Sequence, residues 1–535
     1  MAAQTKTLID IPDDAGVHIK SAGAKNEKYV YKHVKYYRNT DGKPRNKSKA
    51  IGKYDAGSGK MVPNNNYYEI YNVDVSLPDI TVWDYGYAYL ILKVSNDIGL
   101  YHCLKQAFGE RATDIIVMAA YIIKEGCIMD AIDDWQQRNY FSGYTKLLTS
   151  QSTSKIFAEI SANQTHRFFK CWVSKALKSG SVCYDVTSVS SYSQGIPDVE
   201  YGYNRDGDDL GQFNIGMFCD EITKVPLYYN RYNGSLTDKT NLSHVLAGAN
   251  DIGINHVKMI LDGGFWSEGC IKCLDYCCEA FTIGMPASLK ESEHIIATHG
   301  GGIEAYANEL VYPHTYCVDV HTVIHDVPGK VLLYYDAYNH MRLCEELSSR
   351  IQQLSKELSL LKRFPKNKLK RYMPYFKLTQ HRDSSGFDYA IDTDKIEKLR
   401  KLKGFFLLFT TDMESSPSDI LYYYRAKDAD EKLFSQIKVE MDGNRFRTHN
   451  GNTTDGKAFV IFIACIIRSY MLKQLSAFLL SNSTSLKKVF NQLSNIIIVT
   501  KSDGVGFRFV KALTKYQKSI LSVFNAVFDI SDSLG

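Results

Sequence analysis

Between Ser181 and Ala280 the chain alternates short apolar runs with capped helical stretches, and no other feature limits its fold as strongly. SVCYDVTSV, FNIGMFCDE and KVPLYYNRY are β-rich, and Asp220-Glu221-Ile222-Thr223 joins the last two as a hairpin. LTDKTNLSHVLAGANDIG reads as a capped helix, HVKMILDG as a buried strand, and SEGCIKCLDYCCEA as a second helix. The order strand, strand, strand, helix, strand, helix predicts an α/β layer with an antiparallel start and a parallel continuation.

The flanks have other textures. Up to about Val75 the chain is basic and Tyr-rich, with turn signals NTDGKPRNK and YDAGSGKMVPNNN around hairpin-like runs such as YVYKHVKYYR. Val17 to Lys60 holds 12 Lys/Arg against 3 acids, a local excess suited to a polyanionic partner. From Asp79 to about Leu177 apolar residues recur at helical spacing, and LTSQSTSKIF supplies Ser/Thr caps from which a helix-turn-helix could form. After the α/β layer come a strand pair (HTYCVDVHTVIHDVPGKVLLYYD), a long helix (NHMRLCEELSSRIQQLSKELSLLKRF), the basic stretch KRFPKNKLKRY, and strand-like GFFLLFTTD. Beyond about Asp455 the pattern is helical to near the end.

A chain of 535 residues with 44% hydrophobic and 23% charged residues has ample material for a core, and its length predicts three or four domains. The net charge of +5 is too mild to name a partner. Twelve cysteines without regular spacing point to a reducing, cytoplasmic compartment. MAAQTKTLIDIPDD has acids where a signal peptide needs an apolar run. AFVIFIACII ends at Arg468, so it reads as a buried helix or strand instead of a span of about 20 residues.

Two acids end apolar strands: Asp185 follows SVCY, and Asp262 follows HVKMIL. A carboxylate there is costly unless something satisfies it, and a helix cap or buried hydrogen bond would suffice. Both belong to one sheet, however, where they can converge at one edge and offer oxygen ligands to a hard divalent cation. A third acid lies in LYYYRAKDADEKLFSQIK. At roughly 100° per residue, Lys427, Glu431 and Lys438 fall within about 40° of one another on a helix, beside the apolar arc Leu433, Phe434, Ile437 and Met441. Alone, such a Lys/Glu/Lys stripe reads as a solvated face.

Taken together, these motifs resemble the DDE transposases of bacterial insertion sequences, specifically the insertion-sequence-four group. YDVTS (Tyr184–Ser188) resembles its first-Asp strand. Tyr201–Leu242, including Gln212 and a segment ending near Asp238, is similar to the stretch that follows. LDGGFWS (Leu261–Ser267) is similar to its second-Asp strand end. Tyr424, Lys427, Glu431 and Lys438 match the spacing of its Tyr-Arg-Glu-Lys helix signature, with Lys427 in place of Arg and so without the bidentate fork for phosphate. The resemblance runs from about Ser181 to Tyr470.

It implies an RNase H-like α/β catalytic core (179–288 and 410–475) interrupted by a β-rich insertion (289–409). A basic β-rich DNA-binding region (1–75), a helical module that could bind DNA (76–178) and a helical tail (476–535) would flank it. Asp185, Asp262 and Glu431 would be both catalytic and metal-binding, holding two Mg²⁺, with Mn²⁺ able to substitute; Tyr424, Lys427 and Lys438 would contact DNA. The implied activity is cut-and-paste transposition: end cleavage, then strand transfer by the 3′-hydroxyl. Implied partners are double-stranded DNA (terminal inverted repeats and target) and a second copy in a homodimer, with no membrane, in the bacterial cytoplasm at the nucleoid. The sequence leaves two alternatives: a catalytically inactive sequence-specific DNA-binding protein, or a metal-dependent nuclease without strand transfer. One family branch uses a Trp in the insertion to hold a flipped base; no Trp lies between Ala287 and Glu431, and Tyr334, Tyr335 or Tyr338 are the rings on offer.

Other signals have plainer readings. Cys270, Cys273, Cys277 and Cys278 lack a partner Cys/His pair for tetrahedral zinc and read as small helix residues. His321 and His325 lie in a strand without a third ligand. Asp206, Asp208 and Asp209 miss the EF-hand spacing and read as a turn. KRFPKNKLKRY reads equally as a solvated face or a DNA-backbone contact.

Overall fold

The computed structural model describes residues 8–22, 27–72, 80–204, 207, 209–381, 386–427, 433–501, 507–509 and 512–526. The chain divides into two units. One is formed by Met1–Val82, Val499–Arg508 and Ser533–Gly535; the other by Trp83–Ile498 and Phe509–Asp532.

The first unit carries a four-stranded antiparallel sheet in the order β1 (Val17–Ala22), β2 (Glu27–Arg38), β3 (Pro44–Tyr54), β4 (Met61–Pro63). The alternating Tyr-rich run forms β2, as its period of two requires. Val30, Ile51 and Met61 make a small core, joined by Tyr54, Tyr67 and Tyr71. Strand β5 (Ile80–Asp84) runs in sequence from this unit into the next.

The second unit is a mixed α/β body around an eight-stranded sheet. Its strands are β6 (Ser181–Ser190), β7 (Gln212–Asp220), β8 (Pro226–Asn233), β9 (Lys258–Leu261), β10 (Ala280–Met285), β11 (Thr315–Ile324), β12 (Val327–Asp336) and, after the β13 (Phe376–Gln380) and β14 (Phe387–Ile391) hairpin, β15 (Phe405–Thr410). The order is β11-β12-β15-β10-β9-β6-β7-β8. Strands β6, β7 and β8 are antiparallel, while β6, β9 and β10 run parallel. This is the antiparallel start and parallel continuation that the strand order implies. The β11–β12 hairpin, within the stretch expected as an insertion, pairs through β12 with β15 and widens the same sheet. What stands apart is the segment from the helix Ala337–Leu360 to the helix Thr393–Leu402, with its own core of Leu347, Ile351, Leu354, Leu358, Tyr372 and Phe376.

The run AFVIFIACII lies in the helix Gly451–Ser481, where Ala458 to Ile467 are all buried. By length and composition this helix could cross a membrane, but 78% of its most apolar window is buried within the protein. Phe459 packs on Phe108 and Phe168, so it serves as the hydrophobic axle between the helices of 86–176 and the sheet. After it the chain is not helical throughout: the β-branched run at Ile497 makes β16 (Ile497–Lys501), followed by β17 (Phe507–Phe509). Cys103 and Cys171 pair as a disulfide between two helices, with Cα atoms 5.5 Å apart.

Candidate functional site

Strand β6 is buried at every position except Asp185, which is half-buried. A buried apolar strand interrupted by one carboxylate is costly unless that carboxylate reaches water or a partner. The Asp185 carboxylate accepts a hydrogen bond from the Val186 N–H at 2.8 Å. On the neighbouring parallel strand, Tyr184 is in register with Leu261, the last residue of β9. Asp185 and Asp262 each follow one member of that pair, so their backbones stand about one strand spacing apart, roughly 4.8 Å. Asp262 is exposed and caps the turn Gly263–Phe265, its Oδ1 accepting from the Gly263 N–H at 2.7 Å. The two expected aspartates therefore meet at one sheet edge.

Residues directly opposite in an antiparallel ladder share a face. Asp185 pairs with Met217, and Met217 with Tyr229. The Tyr229 ring lies against Phe462 of the helix Gly451–Ser481, with centroids 5.1 Å apart, and on the same face Phe213 meets Phe446 at 5.4 Å. Arg231, also on this face, is clasped by Asp198 and Asp455 at 2.9 and 2.8 Å. Asp185 thus faces the side covered by the chain that follows the signature segment.

That segment begins with the helix Pro417–Ala426, which starts on the Ser416 cap with Pro417 in its first turn and buries Ile420 and Leu421. Leu421 packs in a cluster with Tyr334 and Leu408. The helix lands Tyr424 at the aspartate edge. Gly284 on β10 follows Ile283, the register partner of Leu261. A Cβ on Gly284 would stand 2.6 Å from the Tyr424 hydroxyl and 2.8 Å from the Gly263 nitrogen. A missing side chain thus makes room for the phenol beside the Asp262–Gly263 step.

The remaining signature positions are less uniform. Lys427 ends this helix and is buried, at 4% exposure, where an ammonium requires polar company. Glu431 lies outside the described residues. Lys438 is half-buried within a π-helical turn, Gln436–Glu440, so constant 100° steps do not locate it. Arg468 of the long helix holds that turn, donating to Gln436 and Glu440. The apolar arc expected beside the signature is buried: Leu433, Phe434, Ile437 and Met441 all join the core.

Sequence reasoning passed over Lys239. It sits in the first turn of the helix Asp238–Asp251, and its ammonium donates to the Trp266 carbonyl at 2.7 Å, tying that helix to the loop after Asp262. The only signal was its position after the Thr237 cap. Of the three tyrosines considered for base stacking, Tyr334 has no free face: it is fully buried, stacks on Phe406 and donates to the Pro417 carbonyl. Tyr335 packs on Phe405 and His340, whereas Tyr338 is 64% exposed.

Asp185 and Asp262 fit a hard divalent cation by donor chemistry, since both are carboxylates and Mg²⁺ is commonly held by one or two of these. Among the described residues no group of three His, Cys, Asp or Glu side chains is gathered for a metal. The cysteines of the CxxCxxxCC run are divided, Cys270 facing the core and Cys277 solvent. His321 is exposed on β11, and His325 sits in the following turn with φ 50°.

No protein-family model matches the chain, and no curated protein matches it. Among solved structures, a cryo-EM structure of a piggyBac transposase synaptic complex with hairpin DNA is similar at 12% identity over 76% of this chain and 69% of that one. The TM-score is 0.34, a likeness too loose to carry an argument.

Proposed function

We propose that this chain is a DDE-type DNA transposase with an RNase H-like core, whose cation-binding carboxylates are Asp185, Asp262 and Glu431. The observation that supports it is the pair of aspartates following a register-matched residue pair on adjacent parallel strands, with the Tyr424 hydroxyl beside the Asp262–Gly263 step. Bound Mg²⁺ ions, or Mn²⁺ in their place, would activate the attacking oxygen and stabilise the leaving one in an in-line displacement at phosphorus.

The chain's own residues do the rest. Asp185, on a buried strand of a rigid sheet, and Asp262, pinned by its cap, hold fixed positions, which spares reorganisation during the reaction. Tyr424 positions the strand end, and Lys438 neutralises phosphate charge. Lys427, buried as it is, adds positive potential from behind the surface. End hydrolysis and attack of the freed 3′-hydroxyl on target DNA are the same displacement with different nucleophiles, so one site serves both. The working unit in this reading is a homodimer on paired transposon ends, in the bacterial cytoplasm at the nucleoid.

The test uses linear DNA ending in the element's own inverted repeats, with Mg²⁺ or Mn²⁺. The wild-type chain cuts at the repeat boundary and joins the end to a target. Asp185→Asn, Asp262→Asn and Glu431→Gln bind the repeat in EDTA but neither cut nor join. Wild-type rates in any of the three would remove that residue from the site, and cutting without joining would make the chain a nuclease.

A further inference from the structure

The β2–β3 hairpin changes character along its length. Near its base, Val30 and Ile51 are fully buried and Lys32 stands opposite Lys49. Like charges directly opposite are destabilising, and here each is offset: Lys32 by Asp14 at 3.2 Å and Lys49 by Glu69 at 3.5 Å. Beyond a bulge at Val34 the next pair is Lys35 opposite Lys47, then Tyr36 opposite Asn46 and Tyr37 opposite Arg45. From Val34 to Lys47 every residue but Asn39 is exposed, so neither face of this outer ribbon has a core beneath it. Lys35, Arg38, Lys43, Arg45 and Lys47 form no ion pair with any described residue.

The ribbon is nevertheless well formed. At its tip the Asn39 N–H donates to the Lys43 carbonyl at 3.0 Å, the Asn39 carboxamide accepts from the Lys43 N–H at 2.9 Å, and Gly42 takes φ +71°. Arg38 donates to the Gly42 carbonyl at 2.9 Å. A two-stranded ribbon bare on both faces is marginal in water, and unscreened lysines make it more so. Alternation puts Lys35, Lys47, Tyr37 and Arg45 on one face, three cations and an aromatic without an acid.

We infer that the outer β2–β3 ribbon, Val34 to Lys47, is a docking arm for the major groove of duplex DNA. Two strands about 4.8 Å apart fit a groove roughly 12 Å wide. Arg45 is the side-chain type that reads guanine edges there, while the lysines on its face meet phosphates. The major groove of duplex RNA is too deep and narrow for such an arm. This inference rests on the DNA reading above and names the element and groove involved.

The test measures binding of the full chain to a short DNA duplex by fluorescence anisotropy in EDTA, across a salt series, so cleavage plays no part. Replacing Lys35, Arg45 and Lys47 together by Gln should weaken binding at least about tenfold and flatten the log–log salt slope by about 0.9 per lost phosphate contact. All three are exposed, and an unchanged circular-dichroism spectrum checks the fold. Arg45→Lys keeps the charge and should retain the salt slope, yet lose the interference that guanine N7 methylation causes in the wild type. Unchanged affinity and slope in the triple variant would overturn the arm. Equal arm-dependent binding of an RNA duplex, or indifference of the wild type to N7 methylation, would overturn the groove assignment. If the arm variant binds normally while Asp185→Asn still abolishes cleavage, the arm falls and the transposase reading stands; arm-dependent binding without cleavage by the wild type gives the reverse.

Discussion

Tyr424 and Gly284 share one space: the phenol oxygen lies 2.6 Å from where a Gly284 Cβ would be. The helix carrying the tyrosine reaches the edge after β9 because β10 has no side chain at that point. A glycine on one strand thus sets the reach of a residue some 140 positions later.

Gly284→Ala should push the Tyr424 hydroxyl and the Gly263 backbone outward. Overpacking of this kind costs about 1–3 kcal/mol. Urea unfolding should register it, with repeat cleavage falling more steeply than stability. Tyr424→Phe alone removes only the oxygen; combined with Gly284→Ala it should recover part of the lost stability, a non-additivity expected of touching residues. Additive effects would show that the two do not compete for space.

Under the proposed function Asp262 has two separable roles, the cap it forms on Gly263 and the charge it would offer a cation. Asp262→Asn keeps an oxygen for the Gly263 N–H and should unfold within about 0.5 kcal/mol of wild type, because an Asn cap is as good as Asp. Asp262→Ala should lose about 1 kcal/mol in addition to activity. Comparing urea midpoints of the two variants isolates the cap, and comparing their cleavage rates isolates the charge.

At the other end of β9, Lys258 donates to Asp412 at 2.8 Å, and Ser415 bonds the same carboxylate. Burial works to raise the Asp412 pKa, but these hydrogen bonds outweigh it and hold the carboxyl at about 2, below its ordinary value. A lowered folded-state pKa gives stability that is present above the unfolded value and lost as pH falls through the folded one. The loss from this pair should fall between roughly pH 4 and pH 2. Asp412→Asn should flatten the pH dependence of the unfolding free energy in that window. Lys258→Met should cost on the order of 1–3 kcal/mol at neutral pH by leaving the carboxylate without its charged donor.

Gly456 in the long helix has no room for a methyl group: a Cβ there would collide with the Phe157 backbone carbonyl. Gly456→Ala should separate the helices Gly451–Ser481 and Ser150–Glu159 at a cost of about 1–3 kcal/mol, although Ala is the better helix former by about 1. Thermal unfolding reads the sign directly. A stabilised variant would mean that these two backbones are not in contact.

Some of this protein was legible from residue order alone. Period-two patterning marked β2, β-rich runs marked β6 to β8, Ser/Thr caps marked helix starts, and the apolar run from Ala458 marked a buried helix or strand. The aspartates at the ends of SVCY and HVKMIL were visible because a charge after a buried run is unusual, and their sheet follows from the strand order. These are local facts: hydrophobic period, capping and chirality act over a few residues, so a sequence carries them openly.

Other features were decided only by tertiary packing. The sequence does not say that Leu261 pairs with Tyr184, that β11 and β12 join the sheet through β15, or that Tyr334 is closed off by Phe406. Lys427 looked like a surface base and is buried, and the turn at Gln436–Glu440 winds as a π-helix under the grip of Arg468, 28 residues beyond Glu440. Such contacts depend on which apolar faces meet and on where a glycine leaves space. Both are properties of the packed interior, shared among residues far apart in the chain, and no local pattern encodes them.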